Sequence, residues 1–204
     1  MDAVSLSPSL PFVPAGALPA LRAATRSHHD RIDRLMDLRR MREPARYARV
    51  LQVFDAFLSG WESAVAAALP AHRGEWLQAR SRRRFACQDL HLLGLPARDP
   101  VPFPKLAGPA AAWGSLYVME GSTLGGQVIA RQLAEAGLHP QSGAAYFHGW
   151  GEGTGAMWRE FRGLLEQQLP DAAAIAQACD AARLTFDILT FELEGALNER
   201  TAAA

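Results

Sequence analysis

The chain has 204 residues, 49% of them hydrophobic and 21% charged, a composition that suits one globular domain with a sizeable core. Its 21 basic residues balance 21 acidic ones, so no net field draws it to nucleic acid or to an anionic membrane. The two cysteines, Cys87 and Cys179, form no CxxC pair, which argues against a disulfide framework or a cysteine-bound zinc and for reduced thiols in the cytoplasm.

The first residues carry repeated Ser and Pro and no Lys or Arg before Arg22, so they lack the basic start of a signal peptide. Residues 1–18 read as a flexible N-terminal tail and residues 19–204 as a single helical domain. No apolar run is long enough to span a bilayer. A first helix is predicted from about Pro19 to Leu38. A second starts near Pro44, a good first-turn residue, and runs to about Leu69. A third spans Glu75 to Leu93 and stops at Gly94, with Pro96 beyond. Asp99 to Pro104 reads as a linker. A long helix follows from Pro109 to Ala136, stopped by Gly137. The glycine-rich stretch from His139 to Gly155 reads as a loop. Two closing helices cover Ala156 to Leu169 and Asp171 to Glu199, parted at Pro170. With no strand alternation, the fold class is all-α, and a helical bundle is the economical architecture. The basic run Arg80-Ser81-Arg82-Arg83-Arg84 reads as a solvated or partner-docking helix face.

Two segments carry candidate chemistry. In the first helix, Leu21, Thr25, His28, Ile32 and Leu35 form an apolar stripe that takes in His28. The neighbouring stripe holds Arg22, His29 and Asp33, with Asp33 four residues beyond His29 on its face. A ligating histidine needs such an acceptor to fix its tautomer, although the same pair also occurs on ordinary solvent faces. Arg22, two turns earlier, suits an anionic ligand group. In the long helix, Gly121, Gly125 and Gly126 share one face. Each glycine costs roughly 1 kcal/mol against alanine in a helix. The face they clear admits either a flat partner or a tightly packed neighbouring helix. The remaining histidines show no metal-site spacing, and there is no HExxH or ExxH.

Taken together, Leu21-Arg22-Ala23-Ala24-Thr25-Arg26-Ser27-His28-His29-Asp30-Arg31-Ile32-Asp33 and the segment Leu116 to Ile129 resemble the proximal and distal helices of heme oxygenases, especially bacterial members associated with bacteriophytochromes. The resemblance implies a single-domain helical bundle with heme b between the first helix and the glycine-rich helix. It implies His29 as the proximal iron ligand, Asp33 as its supporting acceptor, and Gly121, Ser122, Gly125 and Gly126 at the distal face. Arg22 and Tyr117 match propionate contacts, and Arg159 and Arg162 match basic residues at the other heme edge. The implied reaction uses O2 and external electrons to open heme to biliverdin, carbon monoxide and ferrous iron. The electrons would come from a ferredoxin, flavodoxin or reductase, with Arg82 to Arg84 as a docking face, and the bilin would serve a bacteriophytochrome.

Ser122 stands where animal-type members carry a distal aspartate, which leaves the proton route open. Glu120 is near in sequence but points to another helix face. A non-catalytic heme carrier or sensor on the same fold is the alternative. A thiaminase-like enzyme would need a nucleophilic cysteine, and neither cysteine has a histidine near it in sequence.

Overall fold

The computed structural model describes residues 16–198, so most of the expected N-terminal tail lies outside the described residues. Among the described residues there are eight α-helices: α1 (Ala17–Met36), α2 (Pro44–Ala68), α3 (Gly74–Ala79), α4 (Arg83–Leu92), α5 (Pro109–Glu135), α6 (Ala145–His148), α7 (Thr154–Gln168) and α8 (Ala172–Asn198). No strand occurs among the described residues.

Local sequence explains most of the boundaries. Pro44 and Pro109 occupy the first turns of α2 and α5, where a missing N–H costs nothing. Gly94 (φ 63°) and Gly137 (φ 83°) end α4 and α5 in the left-handed region, as the sequence predicts. Asp171 accepts the N–H of Ala174 at 2.8 Å and caps α8. The start of α1 is set from afar: Glu166 of α7 accepts the N–H groups of Ala17 and Leu18, both at 3.0 Å. This replaces a local cap at Gly16 and begins the helix two residues before Pro19.

The core is one cluster that contains Trp113, Tyr47, Phe57 and Phe161 among its fully buried members. The axis of the packing is α5 against α8. At Gly114 an added Cβ would lie 1.9 Å from the Ala178 carbonyl oxygen, so the two helices meet backbone to backbone. Beside that contact Trp61 donates to Ser115 at 2.7 Å, and Ser115 shares a hydrogen bond with Thr185 at 2.7 Å. These hydroxyls are paired with each other and with the Trp61 indole, which limits the cost of burying them at the close approach.

Two expectations need correction. The predicted third helix is broken: α3 ends at Ala79, α4 starts at Arg83, and Arg80 and Arg82 in the break are each 6% exposed. They turn inward because buried acceptors on α5 await them. The stretch from His139 to Gly155 is not an unstructured loop. It holds a short π-helical turn, α6 and a 3-10 turn, and it buries Tyr146 and Phe147. Asp89, fully buried on α4, accepts the N–H groups of Ala145 at 2.8 Å and Tyr146 at 2.7 Å and so starts α6 from a distance. No described helix is long and apolar enough to cross a membrane.

Candidate heme site

A cavity of about 450 Å³ lies between α1 and α5. Phe186 and Leu189 of α8, Trp158 of α7 and Tyr146 and Phe147 of α6 complete its walls. The volume falls in the range of pockets for sizeable organic ligands.

On the α1 side, His29 is a cavity residue with its side chain 61% exposed, which rules out a satisfied core histidine. Its Nδ1 lies 3.0 Å from Asp33 Oδ2. An acceptor beside Nδ1 is the arrangement that directs Nε2 of a ligating histidine outward. Asp33 also helps end the helix, because its carbonyl accepts the N–H of Asp37, which adopts φ 43°. His28 lies on the inward stripe that periodicity suggests, beside buried Leu21, Thr25 and Ile32. It is half-buried toward α8, with Nε2 3.5 Å from Asp187 Oδ1, and it does not line the cavity. Both rings pack against Phe186 of α8, with centroids 6.2 Å from it. Arg31 adds a two-pronged bond to Glu194 of α8 at 2.8 and 2.9 Å.

On the α5 side the three glycines divide. An added Cβ at Gly125 would meet nothing within 4 Å, so this position is open. At Gly121 it would touch only Trp158, at 3.7 Å. At Gly126 it would lie 3.0 Å from the Phe147 carbonyl oxygen, so that glycine serves packing against α6. Ser122 lines the cavity, but its hydroxyl is engaged. It donates to the Met119 carbonyl at 2.8 Å and accepts from Arg82 at 2.8 Å. The same Arg82 nitrogen donates to the Met119 carbonyl at 2.7 Å, and its guanidinium stands 5.1 Å from the Tyr146 ring centre. Glu120 points away from the cavity, as expected, and pairs with Arg80 at 2.6 Å. Arg80 reaches Glu160 at 3.0 Å as well.

The remaining expected residues separate into two groups. Arg22 and Tyr117 both line the cavity. Burial pushes the Tyr117 hydroxyl above its usual pKa, opposed by a hydrogen bond with Thr25 and by the nearby Arg22. Arg159 and Arg162 do not line it. Trp158 is the α7 residue that faces inward. Arg159, one position on, is exposed, and Arg162, one turn on, lies over the Trp158 ring at 6.0 Å rather than past it. The docking face is also smaller than expected, because Arg82 is buried and Arg83 lies 3.6 Å from Asp55. Arg82, Tyr146, Trp158 and Phe186 are cavity residues that periodicity could not find, since each arrives from a separate element.

The arrangement fits a flat macrocycle that carries one metal ion. A single imidazole is offered from one wall, an open glycine position lies in the other, and the side walls are largely aromatic and aliphatic. No group of three His, Cys, Asp or Glu side chains able to cage a bare ion occurs among the described residues. One protein ligand is what an iron already held by a porphyrin requires.

Comparison with known proteins agrees. Residues 105–191 match the family model described as heme oxygenase. The chain superimposes on the structure titled "Crystal Structures of the NO-and CO-Bound Heme Oxygenase From Neisseria Meningitidis" with a TM-score of 0.76, covering 91% of this chain and 94% of that one at 24% identity. A heme oxygenase from Xanthomonas campestris pv. campestris (strain 8004) is 39% identical over 142 residues, which are 69% of this chain and 84% of that protein. On that relationship the chain belongs to the heme oxygenase family.

Proposed function

We propose that the protein binds heme b in this cavity and opens it oxidatively to biliverdin, carbon monoxide and ferrous iron. The observation that carries the reading is the exposed His29 ring, held through Nδ1 by Asp33 in a cavity whose opposite wall is open at Gly125. His29 Nε2 is the iron ligand, and Asp33 keeps the ring in the ligating tautomer. Bound heme supplies the redox centre at which O2 is activated, and it is also the substrate. The chain's own residues bind, orient and exclude water. Arg22 and Tyr117 meet a propionate at one edge. Trp158, Phe186 and Phe147 enclose the ring faces. Gly121 and Gly125 leave room above it, and Arg82 holds Ser122 in place. Arg159 and Arg162 lie outside the cavity lining.

Electrons come from a small acidic ferredoxin or flavodoxin or from a reductase. Arg83 and Arg84 are the exposed remainder of the basic run available to meet it. The product supplies bilin to a bacteriophytochrome. The test is an absorption time course of hemin-loaded protein in air with reductant and catalase. Loss of the Soret band with growth of a red bilin band is the expected result. A stable oxygenated spectrum with no pigment change would make the protein a carrier or sensor instead.

A further inference from the structure

A series of aromatic rings runs from the cavity to the outer face of the molecule. Its inner end is Trp158, a cavity residue that is 8% exposed, with the Tyr117 ring 6.2 Å away in the same lining. Phe161, three residues further along α7 and fully buried, stacks on Trp158 at 5.6 Å and stands 5.7 Å from Trp113. Trp113 of α5 is also fully buried, and its ring lies 5.3 Å from that of Trp76 on α3, which is half-buried. Each spacing is a packing contact between rings, within the usual range of ~4.5–7 Å between centroids. Three helices distant in sequence thus bring three of the five tryptophans into one continuous series.

The surroundings of the rings differ. Trp113 has a buried Nε1 with no hydrogen-bond partner among the described residues, and the Arg73 guanidinium stands 5.7 Å from its ring. A Trp113 that loses an electron can neither shed its proton nor escape the charge of Arg73, so the vacancy does not rest there. Trp76 is placed otherwise. Its Nε1 donates to Glu160 Oε1 at 3.0 Å, and that carboxylate, 56% exposed, is also held by Arg80 at 3.0 Å. The Arg80 guanidinium lies 4.6 Å from the Trp76 ring centre. It attracts the electron-rich neutral ring but repels a cationic one, so an oxidised Trp76 is driven to pass its Nε1 proton to Glu160 and become neutral.

We propose that Trp158, Trp113 and Trp76, bridged by Phe161, form an electron relay that fills oxidising equivalents left in the cavity with electrons taken from a small reductant at the Trp76 surface. The source of those equivalents rests on the reading of the cavity as a heme site. When a hydroperoxide is reduced there to an alcohol and water, two electrons and two protons are consumed. Each electron leaves Trp158, which is refilled from Trp113, and Trp113 in turn from Trp76. Trp76 gives its Nε1 proton to Glu160 as its electron departs. A one-electron donor in solvent, of the ascorbate class, then reduces Trp76, and Glu160 returns the proton. The protons consumed in the cavity come from solvent. No bond within the protein changes over the cycle, and the walls around the ligand are spared a competing oxidation.

The relay is tested first without any ligand. Ultraviolet light ionises indoles directly, so illuminating ligand-free protein with an electron acceptor in solution leaves vacancies on all of them. Peptide mass spectrometry then shows where lasting oxidation collects. It should collect at Trp76, and Trp113→Phe should move it to Trp158. Trp61 and Trp150, which pack against Phe57 and Phe85, serve as controls that do not change. A folded Trp113→Phe protein with an unchanged distribution overturns the relay, because exposure alone would then explain Trp76. If loss of the buried ring prevents folding, Trp76→Phe at the half-buried end decides instead. Oxidation should then pass to Trp113 and Trp158, and no gain at either overturns the relay. The second measurement follows hemin-loaded protein mixed with an organic hydroperoxide, by freeze-quenched electron paramagnetic resonance. A neutral tryptophanyl radical is expected, removed by ascorbate, lost in Trp76→Phe and replaced by a cation radical in Glu160→Gln. Bound hemin with no tryptophanyl signal, or a signal that survives Trp76→Phe unchanged, overturns the relay. A wild-type protein that binds no hemin overturns the heme reading instead, and the ligand-free result still decides the relay.

Discussion

The two walls of the cavity are built in different ways. The proximal wall takes its polar groups from one stretch of α1, and its central contact, His29 with Asp33, joins residues one turn apart that are 61% and 65% exposed. The distal wall is assembled from afar: Arg80 and Arg82 grip Glu120, Met119 and Ser122 across 37 to 40 residues of chain, largely out of water. Helix periodicity therefore places His29 beside Asp33, whereas tertiary contacts shape the space around them. The energies differ accordingly. Exposed pairs contribute little, but a buried ion pair stripped of one partner leaves a charge without solvent.

The sharpest test of that contrast is His29→Ala. Bilin formation should vanish while the thermal melt barely moves, since an exposed i,i+4 pair is worth about 0.5 kcal/mol or less. A large loss of stability would erase the distinction between the walls. Next comes Arg80→Met, which strands Glu120 in the interior. A loss of about 3–5 kcal/mol in urea unfolding is expected, and a loss below about 1 kcal/mol would show that this grip does not hold the distal wall. Gly125→Leu separates shape from stability. The helix should gain up to about 1 kcal/mol from the better helix former. Hemin titration should weaken about tenfold or more as the new side chain enters the cavity, and unchanged affinity would mean that the open position is not used. The smallest effect belongs to Arg31→Ala, which removes an exposed link from α1 to α8. Less than about 1 kcal/mol should be lost, with turnover preserved.

The same contrast explains what could be read in advance. The pairing of His29 with Asp33 is legible because both residues lie on one helix and their spacing is the contact. The stops at Gly94 and Gly137 and the first-turn prolines are legible for the same reason. The basic run was misread because the pattern shows charges and not their acceptors, and the partners of Arg80 and Arg82 lie on α5. The stretch around Tyr146 was misread because Asp89 starts α6 from 56 residues away. In the sequence the glycines share one face, open to either a flat partner or a packed helix. Only three-dimensional packing separates Gly125, which is open, from Gly126, which accommodates the backbone of Phe147.

The meeting of Gly114 with the Ala178 carbonyl gives α5 a fulcrum. The front of the helix cannot shift without prising α8 away, and the three cavity glycines lie beyond that point. Leu124 sits ten residues further on, about 15 Å along the axis. Arg80 and Arg82 hold the stretch between the two, so exposure is left to Leu124 and Val128, 43% and 36% exposed at the cavity edge. Entry of a rigid plate and exit of a longer, flexible chain place unequal demands on one opening. A rod held at Gly114 and again at Gly126 leaves only the side chains at its rim to answer both.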